Sequence, residues 1–271
     1  MYKTGEVVNI STEQSKMQSE KFAAVELLNQ SGASSVLLIC EHASNFIPDE
    51  FGSLGLNEDV KKSHIAWDPG ALGVTQHLSE MLDAQAIVGC VSRLVYDCNR
   101  PPQAVDAVPV RSEIFDVPGN QNLSPLDYQN RVDLCFAPFA EMVEKTIKWS
   151  KMPRIVVTIH SFTPVYQGEI RDTDIGILHD VDRKLADAML ALAPHLSPMK
   201  IERNSPYGPE DGVTYTLKEH GIANGLLNVM IEVRNDLVAT ADQQCKIAQL
   251  LCELLTRSLT MLGATSGAEG N

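Results

Sequence analysis

The chain has 271 residues, 44% of them hydrophobic and 21% charged; this is the balance of a soluble globular protein long enough to bury a sizeable core. Its 22 Lys and Arg against 35 Asp and Glu give a formal charge of −13, which argues against nucleic acid and anionic membrane surfaces as partners, because both need clustered cations. A small anionic substrate stays open, since a few local arginines can hold a carboxylate against the global field.

The opening segment, MYKTGEVVNISTEQSKMQSE, has no apolar core of a signal peptide, and no apolar stretch reaches the roughly 18 residues of a membrane span. The six cysteines (Cys40, Cys90, Cys98, Cys135, Cys245, Cys252) form no CxxC pair. The expectation is a reduced, cytoplasmic protein without a cysteine zinc site. Residues 1–20 and 263–271 are expected to be flexible, and a short helical pattern lies around Phe22 to Leu28.

The first strong element is SVLLIC, Ser35 to Cys40, read as a strand buried on both faces. It stops at Glu41-His42. A helix is expected after Trp67-Asp68-Pro69, with Asp68 as its N-cap, Pro69 at its first position, and Leu78, Met81 and Leu82 at apolar spacing. Ala86 to Val91 reads as a second buried strand. A long irregular stretch follows from Arg93 to about Gln121, of the kind that is usually functional or mobile. Next come a helix from about Ser124 to Ser150, a strand from Arg154 to Ile159 ending at His160-Ser161, and a strand from Ile175 to Leu178. Val181 to Ala193 is expected to be helical, with short strands at Lys200 to Glu202 and Asn228 to Val233. The last helix starts near Thr240, where Thr240 and Gln243 fit a capping box, and runs to about Leu262. Strands alternating with helices imply an α/β fold in three αβα layers, with a mostly parallel or mixed central sheet. No interior linker is visible, so residues 1–271 read as a single domain.

In such folds ligands bind beyond the carboxyl ends of the strands. His42 follows the first strand with Glu41, His160 follows another with Ser161, and Glu232 lies near the end of the last. A few His and carboxylate ligands with one open position are how catalytic zinc is held, and a further carboxylate then serves as general base. No HExxH is present, so spacing does not force a metal. Asp68 has two readings, helix cap or third ligand. Glu41 competes for the ligand role, but adjacent strand residues point to opposite faces, so Glu41 and His42 share an ion only if the strand has ended. The segment from Ser92 to Pro101 packs Arg93, Asp97, Asn99 and Arg100 together. It suits recognition of a carboxylate, or else an internal Arg93–Asp97 or Asp97–Arg100 pair shapes the loop. Arg171 is another candidate anion contact. His64, His77, His179, His195 and His220 are expected to do no chemistry. Ser44 and Ser161 sit beside histidines, but there is no GxSxG elbow. Residues 204–212 are turn-rich and read as a lid or a surface loop.

CEHASNFIP, WDPGA, SRLVYDCNRP, the strand ending IHSF and the later IEVRND together resemble the N-formylglutamate amidohydrolase family, over roughly Ser35 to Leu262. The resemblance implies a hydrolase with one zinc per chain and a phosphorylase/hydrolase-like fold akin to zinc carboxypeptidases and amidases. The reaction it implies is removal of formate from N-formyl-L-glutamate in histidine degradation, with a small anionic N-acyl amino acid as the partner. By position it makes His42, Asp68 and His160 the zinc ligands and Glu232 the general base, and it puts Arg93, Asn99 and Arg100 at the substrate carboxylate. The first motif departs from the best-known members in carrying Glu-His in place of Pro-His, which leaves the role of Glu41 open. Two other readings use the same residues: a zinc peptidase or N-acetylmuramoyl amidase-like hydrolase, and a non-catalytic module that captures small acids.

Overall fold

The computed structural model describes residues 22–150 and 154–264. The flexibility expected of residues 1–20 and 263–271 falls outside them, except for residues 263 and 264. The strands are β1 (Val25–Leu28), β2 (Val36–Cys40), β3 (Gln85–Gly89), β4 (Arg111–Ser112), β5 (Phe115–Asp116), β6 (Ile155–Phe162), β7 (Val165–Tyr166), β8 (Glu169–Ile170), β9 (Ile175–Leu178), β10 (Ile201–Arg203) and β11 (Asn228–Arg234). The α-helices are α1 (Glu58–Lys62), α2 (Ala71–Leu82), α3 (Pro125–Arg131), α4 (Ala137–Lys148), α5 (Lys184–Leu196) and α6 (Ala241–Met261).

Seven strands form one sheet in the order β1-β3-β2-β6-β11-β9-β10. Its centre, β3-β2-β6-β11, is parallel, whereas β1 runs antiparallel to β3 and β9 antiparallel to β11. The sheet is therefore mixed. Every residue of β2 is buried, as the apolar run SVLLIC requires of a strand covered on both faces. Alternation then divides the side chains. Leu38, Val157 and Ile231 face Leu78 of α2, Met189 of α5 and Leu251 of α6. Leu37, Ile39, Val156 and Met230 face Phe139 and Val143 of α4 and the loop residues Leu94 to Tyr96. His160 and Glu232 are an even number of residues from Val156 and Met230, so they lie on this second face.

Several elements differ from the sequence expectation. Phe22 to Leu28 is not helical. Val25–Leu28 pairs with β3 as an edge strand, because four residues are too few to offset helix nucleation, whereas the sheet edge supplies a ready ladder. The N-cap of α2 is Gly70, at φ 83°, and not Asp68. A Cβ at Gly70 would lie 2.4 Å from the Val238 carbonyl oxygen, so the chain turns tightly here and the helix begins at Ala71, three residues beyond Asp68. The helix expected at Val181 starts at Lys184, because Asp180 and Asp182 accept the Val181 and Lys184 amides and hold a turn. Residues 125–148 are helical, within the expected stretch, but a wider π turn at Val132–Phe136 joins α3 to α4. The irregular stretch from Arg93 carries the small β4–β5 hairpin. The Thr240–Gln243 capping box is present at α6. Among the described residues no helix is long and apolar enough to cross a membrane.

Candidate metal centre

The β2 strand ends at Cys40, so Glu41 and His42 are freed from strand alternation. Gly89 makes room for this turn: a Cβ there would lie 2.1 Å from the Glu41 carbonyl oxygen. The Asp68 amide donates to the His42 carbonyl at 2.9 Å, which ties the Trp67-Asp68-Pro69 segment to the end of β2. The third contributor, His160, lies within β6, which runs on to Phe162. Its register partner on β11 is Glu232, and partners in register project on the same face.

Three chain segments thus bring His42, Asp68 and His160 together. One ligand atom from each lies within 4.8 Å of the others, and all three residues are buried. Asp68 Oδ2 is 3.3 Å from His42 Nδ1 and 2.9 Å from His160 Nδ1. The opposite ring nitrogens face other carboxylates. His42 Nε2 lies 2.7 Å from Asp97 Oδ1, and His160 Nε2 lies 3.1 Å from Glu41 Oε2. The Asp97 hydrogen bond fixes the tautomer of His42 and leaves its other nitrogen free to ligate, whereas Glu41 stands behind His160 as an ion-pair neighbour without hydrogen-bond geometry. The two Nδ1 atoms and Asp68 are therefore the donor set that a metal ion fits.

The charges agree with this arrangement. Burial and Arg93 push the His42 imidazole down, but Asp97 and Asp68 outweigh them and hold it above its ordinary value. His160 is likewise depressed by burial yet held well above that value by Glu41 and Asp68. Burial alone would raise the Glu41 and Asp97 carboxyls. The charge on His160 holds Glu41 below the usual range, and His42 with Arg93 holds Asp97 well below it. Such a knot of anions and imidazoles attracts protons or a divalent cation in their place. Glu232 behaves in the opposite way. Burial first, then the charge on Asp68, pushes its carboxyl up to about 7 against the pull of the two histidines and Arg93. Its Oε2 is buried without a hydrogen-bond partner among the described residues. It faces a cavity of about 350 Å³ that His42, Asp68, His160 and Arg93 also line.

The arginines fare differently. Arg93 donates to Asp97 at 2.8 Å and to Asp68 at 3.4 Å, so the internal pair expected of this loop forms, and the 30% exposed side chain still borders the cavity. Asn99 lines the cavity with its amide committed to the protein, donating to the Val213 carbonyl and accepting from the Thr216 amide. Arg100 is held by Asp106 and by the Gly212 carbonyl, which anchors the turn-rich loop of residues 204–212 against the site. That loop supplies Tyr207 to the cavity wall. Arg171 stands behind this wall, over the rings of Tyr166 and Tyr207 at 4.5 and 4.7 Å, and donates to the Tyr207 hydroxyl. Ser161 Oγ donates to the Pro69 carbonyl at 2.7 Å, an arrangement with no base to activate it. Among the histidines expected to be inert, His64 borders the cavity and meets Glu113 at 2.9 Å. Sequence reasoning missed Asp97 as the partner of His42. Its place four residues after Arg93 was the visible signal, but that spacing explained it as a loop ion pair.

Over residues 34–239 the chain matches the family described as N-formylglutamate amidohydrolase. Among solved structures, gene product Atu2144 from Agrobacterium tumefaciens is 49% identical, with a TM-score of 0.87 over 90% of this chain and 97% of that one. The N-formylglutamate amidohydrolase of Ralstonia eutropha JMP134 is 16% identical, with a TM-score of 0.60 over 89% of this chain and 98% of that one; the likeness is one of fold. No curated protein matches the chain.

Proposed function

The chain belongs to the N-formylglutamate amidohydrolase family and is a hydrolase of amide bonds, and from that premise we propose that it is a zinc-dependent enzyme releasing the acyl group of a small N-acyl amino acid such as N-formyl-L-glutamate. The observation that carries this reading is the position of Asp68 Oδ2 against both imidazole Nδ1 atoms, beside a buried and unpartnered Glu232 Oε2. His42, Asp68 and His160 would hold the ion. A zinc ion bound there lowers the pKa of a water and polarises the acyl carbonyl.

Glu232 takes the proton from the attacking water and returns it to the departing amine. Its raised carboxyl, near 7, suits a group that must both accept and donate at neutral pH. Asp97 fixes the His42 ring, and Glu41 stands behind His160. Arg93 borders the cavity beside Glu232, where its guanidinium meets the substrate carboxylate. Asn99 and Arg100 hold the wall through their protein partners, and Arg171 orients Tyr207.

The test is metal analysis of the purified protein together with formate release from N-formyl-L-glutamate. One zinc per chain and chelator-sensitive release are expected. Glu232→Gln should lower turnover by about 10²- to 10⁴-fold with its metal content intact. Wild-type turnover in that variant removes Glu232 from the role of base.

A further inference from the structure

Two small hairpins stand outside the main sheet, β4–β5 and β7–β8. Each contributes to the cavity: Ser112 and Glu113 from the first, Tyr166 from the second. The tip of the first reaches the tip of the second through one side chain. Glu113 Oε1 accepts the Gln167 amide at 3.0 Å, while Glu113 Oε2 lies 2.9 Å from His64 Nε2. One carboxylate therefore joins three segments that are far apart in the chain. Its side chain is only 11% exposed, although it sits at a hairpin tip between Ser112 and the 62% exposed Ile114.

Both tips adopt left-handed backbone, Glu113 at φ 51° and Gln167 at φ 50°. Such conformations are uncommon for residues other than Gly, Asn and Asp, and they persist where surrounding contacts over-determine them. The Glu113 bridge is the contact that both tips share. The vertical order of the cavity gives the bridge its meaning. His42, Asp68 and His160 are at most 3% exposed and form the floor. The bridge lies at the exposed end, where Gln167 and the apolar pair Val165 and Ile170 face solvent. Glu113 and the floor residues line the same cavity, so an acyl amino acid held at the floor shares that cavity with the bridge.

We propose that Glu113 fastens the two hairpins across the mouth of the cavity and so restricts it to free N-acyl amino acids, excluding the same acyl group carried on a peptide. The inference rests on the function proposed above and adds the device that sets its substrate size. A single amino acid ends beneath the bridge. A peptide has to continue between the two tips, which means opening the Gln167 contact and leaving a carboxylate of low exposure without its amide.

The test uses the full chain. Hydrogen exchange at the Gln167 amide reads the bridge directly: Glu113→Ala should lower its protection by about tenfold or more, whereas Glu113→Gln, which retains an acceptor oxygen, should keep it. Calorimetry reads selectivity without turnover. In the Glu232→Gln background loaded with zinc, N-formyl-L-glutamate is compared with N-formyl-L-glutamyl-glycine. Adding Glu113→Ala should improve dipeptide binding relative to the free acid by about tenfold. Unchanged exchange at Gln167, an unchanged binding ratio, or binding of neither compound overturns the proposal. If the enzyme with Glu232 intact releases no formate, the proposed function fails, and the exchange and binding ratio still decide the role of Glu113.

Discussion

Replacing Asp97 with Asn tests the metal centre at a residue that does not itself ligate. Asp97 Oδ1 lies 2.7 Å from His42 Nε2, Oδ2 accepts from Arg93 at 2.8 Å, and the Asn99 amide donates to Oδ1 at 2.9 Å. Asparagine keeps the size and one acceptor but loses the charge. Two consequences run in the same direction. The His42 ring loses the anion that makes its far nitrogen a good donor, and Arg93 loses a partner, so more of its positive charge faces the site. Asp97 is 4% exposed, so solvent screens neither change appreciably. Loss of a carboxylate behind a ligating histidine weakens metal binding by about 10- to 100-fold, equivalent to roughly 1.4–2.8 kcal/mol. With both effects aligned, the upper half of that range is expected. The assay is competition for zinc against a chromophoric chelator at neutral pH, with circular dichroism to establish that the fold is retained. Zinc affinity within twofold of wild type, in a folded variant, refutes the placement of Asp97 behind a metal-bound His42.

Three further outcomes follow from the same geometry. The acid limb of kcat/KM should lie no higher than about 7: Glu232 must be ionised to accept a proton, burial and Asp68 raise its carboxyl to that value, and a bound cation draws it lower. Activity is thus lost as pH falls through this limb, and a limb well above neutrality in the pH–rate profile contradicts the assignment. Zinc affinity should also fall with pH, because His42 and His160 are held above the ordinary imidazole value by their carboxylates and protons compete with the metal there; a pH-independent titration over the imidazole range counts against Nδ1 ligation. Leu251→Ala in α6 removes a fully buried side chain from the core and should destabilise the protein by about 2–5 kcal/mol in urea unfolding, so a loss below about 1 kcal/mol would mean that this helix is not packed as described.

Much of the layer structure was legible along the chain because the relevant forces are local. SVLLIC and IVVTI are continuous apolar runs, and only a strand covered on both faces buries every position of such a run. Thr240 and Gln243 have the spacing of a capping box, and the cap forms. The failures came where a distant segment decided the outcome. Val25–Leu28 became a strand because the free edge of β3 was available. The α2 helix begins after Gly70 because Val238, far along the chain, crowds that turn. The pairing of β9 antiparallel to β11, which makes the sheet mixed, left no mark in the composition of either strand.

The candidate site divides in the same way. Sequence by itself singled out His42, His160 and Glu232 as the polar residues that close apolar runs, although only β2 stops there, and β6 and β11 run on to Phe162 and Arg234. The residues alone left Asp68 and Glu41 as rivals and the family resemblance pointed to Asp68; tertiary structure supplies the physical reason, since Asp68 meets the inner nitrogen of each ring and Glu41 stands behind one of them. It also committed Asn99 and Arg100 to protein partners and brought Glu113, His64 and Gln167 together at the cavity mouth. Hydrogen bonds between residues 49 and 54 positions apart, as in those two contacts, have no periodicity to betray them; they exist only once the sheet has placed the loops that carry them.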